Sequence, residues 1–314
     1  MDERTATAGA SPMNTIRSGA ADAPQYKHAI DLDTLRLRFD TLIDEVLSYT
    51  FSIEALSKAL AGGITDAGAI LRAVPVCEGR LLEKGIGLIA ELNPDLIVLT
   101  QNLRLPVTRT ALDLVEKNDP KNYRFLTLDA DTGGRRGYTP DLILVNRLTR
   151  LAHVVDVKRS LGSYEVSRIT ELKSRMLAAA LVVPDHLYRE HHRLVAEEVR
   201  VVILNAENQR SDIAGGVWPI SHLDHLLEIS GAGAAIGSLR TCFHSRINEN
   251  WTQASRSFVR ATAETPDIAA AAPAPSDEKG SGQKADGSAS PSVKRDSGPE
   301  NVVGFARIPR TGSG

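Results

Sequence analysis

Asp141, Asp156 and Lys158 interrupt two runs that are otherwise apolar, Asp141-Leu142-Ile143-Leu144-Val145 and His153-Val154-Val155-Asp156-Val157. Such runs read as strands, and the short connection between them reads as a hairpin. A two-residue turn at Thr149-Arg150 places Asp141 opposite Lys158 and Ile143 opposite Asp156. Side chains alternate along a strand, so Asp156 and Lys158 share one face, and this register adds Asp141 to it. An odd shift would move Asp141 to the other face. Two carboxylates and an ammonium converging at one end of a hairpin have a definite chemistry. The oxygens suit a hard cation such as Mg²⁺ or Mn²⁺, which lowers the pKa of a bound water and offsets charge on a phosphate. A lysine beside them can orient that water or stabilise developing charge. The plainer alternative is a salt-bridged trio at a strand end.

The surrounding elements must present this hairpin. Leu35, Phe39, Leu42, Ile43 and Val46 fall on one helical face, and helical patterns follow at 53–61 and 66–73, with Gly62-Gly63 between them. Pro75 is expected to separate this helical region from a helix at about 77–92, which Asn93-Pro94 ends. Leu96-Ile97-Val98-Leu99 is a short β-prone run, a helix at about 108–117 follows Pro106, and 123–128 is preferred as the first core strand. Asp131-Thr132-Gly133-Gly134 is rich in turn residues. After the hairpin come a helix at about 164–183 limited by Pro184, a polar helix, a strand at 199–204, and helices at about 222–229 and 236–256.

Tyr138-Thr139-Pro140-Asp141-Leu142-Ile143-Leu144-Val145, followed after a turn by Val154-Val155-Asp156-Val157-Lys158, resembles the signature of the PD-(D/E)XK nuclease superfamily. The resemblance covers roughly 77–205 and implies an α/β, restriction-endonuclease-like αβββαβ core with a mixed sheet flanked by helices, here preceded by a helical region. It implies a Mg²⁺- or Mn²⁺-dependent endonuclease acting on DNA, with Asp141 and Asp156 holding metal and Lys158 positioning water. The segments Arg80-Leu81-Leu82-Glu83-Lys84 to Pro94 and Arg135 to Asp141 are similar to the endonuclease subunits of heteromeric transposases. That likeness selects Glu83, rather than Glu78 or Glu91, as a third metal-binding and catalytic acid. Gly79, Glu83 and Gly87 also form one i, i+4, i+8 line that lets Glu83 approach the sheet. By the same resemblance Arg135, Arg136, Arg159, Tyr164 and Arg168 are candidate nucleic-acid contacts, and Arg168, Lys173 and Arg175 give their helix a basic face. The segment 108–130 is longer than the transposase-like pattern requires.

Composition bounds these expectations. With 42% hydrophobic residues the chain can build a real core, and a net charge of -2 requires any nucleic-acid binding to use a local basic surface. Cys77 and Cys242 are too few and too far apart for a disulfide framework or a zinc cluster, which fits a reducing cytoplasm. No stretch approaches the ~18 apolar residues of a membrane span. The expected organisation is a disordered arm (1–30), a helical region (31–75), the nuclease-like domain with C-terminal helices (76–258) and a disordered tail (259–314). Val302 to Ile308 in that tail could dock on a protein partner, and a homo-oligomer is allowed. Gly231-Ala232-Gly233 lacks the spacing and βαβ setting of a dinucleotide loop. The neighbouring histidines (His186, His191, His192; His222, His225) lack zinc spacing and are read as exposed helix residues. The rival function is a catalytically inactive nuclease fold that serves as a DNA- or protein-binding accessory module.

Overall fold

Two hydrophobic periods run through the chain, and in the computed structural model they resolve into a mixed sheet with helices on both faces. The described residues are 26–101, 103–123, 125–130, 136–208 and 210–263. They all fall within one unit, Met1–Thr265. Most of the expected N-terminal arm, the 131–134 turn and the tail with Val302–Ile308 lie outside them.

The first layer begins with β1 (His28–Ala29) and α1 (Leu32–Leu47), whose N-terminus is capped by the Asp31 carboxylate. Leu35, Phe39, Leu42 and Ile43 of α1 are buried as their spacing requires. Then follow α2 (Ile53–Ala61), capped by Ser52, and α3 (Ile64–Ala90). Here the expectation at Pro75 is corrected: α3 is one helix of 27 residues with Pro75 inside it. A helix-interior proline costs about 3 kcal/mol. The helix continues because Ile70, Ala73, Val74, Cys77 and Leu81 form one stripe, in phase on both sides of the proline, packed on one core. The expected boundary at 75 therefore falls within a helix.

Next come β2 (Leu96–Leu99), β3 (Leu105–Val107), α4 (Arg109–Lys117), the single turn α5 (Pro120–Tyr123), β4 (Arg136–Tyr138), β5 (Leu142–Asn146) and β6 (Leu151–Lys158). They are followed by α6 (Val166–Ala180), α7 (Val183–Glu190), β7 (Glu198–Asn205), β8 (Val217–Pro219), α8 (Leu223–Leu227), β9 (Ile229–Ser230) and α9 (Ala232–Ala263). The five-stranded sheet has the order β2-β5-β6-β7-β8. Its first three strands are antiparallel and its last three parallel. Short β3 and β4 form a separate antiparallel ribbon.

Two further expectations are corrected. Residues 123–128 are not the first core strand: Tyr123 ends α5, Phe125 is 70% exposed, and the place beside β5 is taken by β2. The helix expected to end at Pro184 breaks earlier, and Pro184 lies in the first turn of α7, where its missing N–H costs nothing.

Alternation along the strands divides the core. Leu142, Leu144, Val155 and Val157 face α1, α3 and α9, whereas Ile143, Val145, Ala152 and Val154 face α6, α7 and the β3–β4 ribbon. The glycine-rich start of α9 is closed by its own chain, since Asp224 accepts hydrogen bonds from Gly231 N and Gly233 N, both at 2.7 Å.

Candidate active site

The β5–β6 hairpin is closed by the four residues Arg147–Arg150 and not by a two-residue turn. Asn146 Oδ1 accepts from the backbone N–H groups of Leu148 and Thr149, and Arg150 takes a left-handed φ of 55°. Leu142 consequently pairs with Val155, and one step further Asp141 stands opposite Asp156, not opposite Lys158. The correction amounts to two residues. Being even, it leaves all three side chains on one face.

Asp156 is 4% exposed. Its Oδ1 is ion-paired with Lys158 Nζ, and its Oδ2 accepts a 2.8 Å hydrogen bond from the Tyr138 hydroxyl. Asp141, just ahead of β5, accepts the Val157 N–H on Oδ2 at 2.6 Å. Glu83 reaches the same end of the sheet from α3 and interacts electrostatically with Asp141, Asp156 and Lys158. Gly87, one turn on, brings α3 against the sheet: a Cβ there would meet Leu142 and Thr100 at 3.6 Å, an ordinary contact, while Gly79 faces open space. The closest approach is at Gly85, where a Cβ would stand 2.4 Å from Leu239 Cδ2 of α9.

The electrostatics of the cluster are unbalanced toward negative charge. Burial, then Asp141 and Asp156, push the Glu83 carboxyl up to about 7 against the opposing pull of Lys158. Burial and Asp156 raise Asp141, although the Val157 N–H and Lys158 work against them. Burial alone would lower Lys158, but Asp156, with Asp141 and Tyr164, outweighs it and the ammonium holds its proton more tightly than usual. Tyr138 is raised by burial and by Asp156.

The two acids weighed against Glu83 are occupied elsewhere. Glu78, 3% exposed, pairs with Arg240 at 2.8 Å and lies near Arg159 and His244; Glu91 pairs with Arg38 at 3.0 Å. Arg159 is bound to Glu207 at 2.9 Å, so its charge is largely spent within the fold. Tyr164 is half-buried, and Arg168 is exposed at the start of α6. Lys173 pairs with Asp212, while Arg175 lies near enough to influence Tyr138. Arg135 is outside the described residues, as is the side chain of Arg136, whose backbone pairs with Val107. Sequence patterning gave no sign of Tyr138, because the three-residue strand that carries it is too short to show a period.

In donor chemistry the cluster suits a hard divalent cation: three carboxylates, two of them with proton affinity raised by burial and by neighbouring carboxylates, share the single ammonium of Lys158. As arranged, no three His, Cys, Asp or Glu side chains among the described residues stand close enough to hold a metal ion. A separate groove of about 430 Å³, lined by Phe125, Leu177, Val199, Val201, Ile213 and Trp218, contains none of Glu83, Asp141, Asp156 and Lys158. No helix of the described residues is long and apolar enough to cross a membrane. Compared with protein-family models, curated proteins and solved structures, the chain matches none.

Proposed function

We propose that this chain is a metal-dependent nuclease of the restriction-endonuclease-like class, hydrolysing phosphodiester bonds in DNA. The observation that carries the reading is the placement of Asp141, Asp156 and Lys158 on one face at the end of the β5–β6 hairpin, with Glu83 brought to the same end by α3. The order α3, β2, β5, β6, α6, β7 supports it, since it resembles the αβββαβ core implied by the sequence motif. Bound Mg²⁺ or Mn²⁺ would supply an acidified water and offset charge on the phosphate. Asp141, Asp156 and Glu83 would hold the ion. Lys158, released from Asp156, would orient the water or bind the phosphate oxygen on which charge develops. The exposed Arg168 and Arg175 of α6 are the local basic groups that a chain of net charge -2 needs for DNA.

The test is cleavage of linear, supercoiled, single-stranded and branched DNA with Mg²⁺ or Mn²⁺, comparing the wild type with Lys158→Ala and Asp156→Ala. Cutting that needs metal and is abolished by both substitutions is the expected result. A protein that neither cuts nor binds metal would overturn the enzymatic reading.

One observation favours a second reading. Asp156 faces Lys158 and Tyr138, and Asp141 the Val157 N–H, all within the chain, as in a purely structural ion-pair cluster. In that case the fold is an inactive module that binds DNA or protein. Mn²⁺ binding that Asp141→Ala removes separates the two, because an inactive scaffold shows no such binding to lose.

A further inference from the structure

Tyr138 is the last residue of β4 and pairs with Leu105 of β3, so it belongs to a ribbon that stands apart from the main sheet. Thr139-Pro140 then lead the chain into Asp141 and β5. The side chain is 4% exposed, lies in the core with Ile143, Val154 and Met176, and donates a hydrogen bond to Asp156. A carboxylate's final torsion is broad, so the Asp156 backbone alone does not set the plane of its oxygens. Two partners on opposite oxygens do. They differ in kind. Lys158 sits on a flexible four-carbon stem and is 24% exposed, so it can leave. The tyrosine ring is rigid, enclosed and anchored in a paired strand.

We infer that Tyr138 is a positioning residue that keeps the Asp156 carboxylate oriented for a divalent cation while Lys158 moves to other work. The inference rests on the reading of Asp156 as a metal ligand. Partners of this kind, one bond removed from the ion, are worth about 10- to 100-fold in metal affinity. The hydroxyl, not the ring, carries the effect, because phenylalanine would fill the same space in the core.

The experiment is a Mn²⁺ titration of the full chain, without nucleic acid, on the wild type, Tyr138→Phe, Asp156→Asn and the double variant, with near-ultraviolet circular dichroism to report packing. Tyr138→Phe is expected to bind Mn²⁺ about 10-fold more weakly. In the Asp156→Asn background the same change should have no further effect, since the hydroxyl then has no carboxylate to hold. Tyr138→4-aminophenylalanine, which keeps a donor on the ring, should restore binding. It also provides the comparison if Tyr138→Phe fails to fold: a folded protein with the weak binding of Asp156→Asn would overturn the inference. If Tyr138→Phe binds as the wild type does, or weakens binding equally in both backgrounds, the inference is wrong while the nuclease reading stands. If the wild type binds no Mn²⁺, that reading fails and this one with it.

Discussion

Replacing Glu83 by glutamine tests the electrostatic account of the site without any substrate. Burial and the two aspartates hold this carboxyl at about 7, against 4.5 for a free glutamate side chain. An acid whose pKa is raised on folding binds its proton better in the native state, so stability is greatest below the unfolded value and falls as pH rises from about 4.5 through about 7. A shift of this size corresponds to roughly 3.4 kcal/mol at 1.36 kcal/mol per pH unit. Glu83 is only half-buried and solvent screens it, so about 1–2 kcal/mol is the reasonable expectation. Glutamine keeps the shape and removes the charge. In urea unfolding, Glu83→Gln should be more stable than the wild type by about 1–2 kcal/mol at pH 8 and nearly equal to it at pH 4.5. Mn²⁺ should narrow the gap at pH 8 by stabilising the wild type alone. A variant equally or less stable at both pH values would refute the claim that Glu83 is crowded by Asp141 and Asp156.

Lys158→Met leaves the Asp156 carboxylate with Tyr138 alone, and because the lysine is partly exposed the expected cost is about 1–3 kcal/mol in chemical denaturation; a gain in stability would show that the trio is not held by this pair. His153, lowered to about 4 by burial and by Arg200, is held neutral in the fold. Stability should therefore fall as pH drops from about 6.5 toward 4, by roughly 2–3 kcal/mol, and His153→Gln should flatten that limb of the wild-type profile. In α3, Gly79→Ala meets open space and should raise stability by about 0.5–1 kcal/mol. Gly85→Ala forces Leu239 to move and should lower stability by about 1–3 kcal/mol, so a thermal-unfolding order with Gly85→Ala above Gly79→Ala would contradict the packing of α3 on α9.

Much of the site was legible because its strands are loud. Leu142 to Val145 and Val154 to Val157 are apolar apart from Asp156, and Asp141, Asp156 and Lys158 stand out against them. Their face was also legible, since the error in turn length was even and left the alternation intact. Other features depend on partners distant in sequence. Tyr123 to Leu128 is as strand-like as Leu96 to Leu99, and only the pairing of the latter with β5 decides between them. Pro75 is a local stop signal overridden by a stripe that packs on both sides of it. Tyr138 meets Asp156 because the chain leaves the ribbon at Pro140, a bend that no periodicity records.

The short closure of the hairpin bears on the order in which the site is assembled. A hairpin of this kind forms in about 1–10 μs, whereas loops with large sequence separation close later. Asp141, Asp156 and Lys158 all belong to this one local unit, while the parallel pairing of β6 with β7 waits on the crossover of residues 159–197 and Glu83 arrives from far upstream. The ammonium therefore travels with the charges it neutralises. During folding, the strand that brings two carboxylates face to face delivers one counter-ion in the same event, and the core can close over a pair that is already partly compensated.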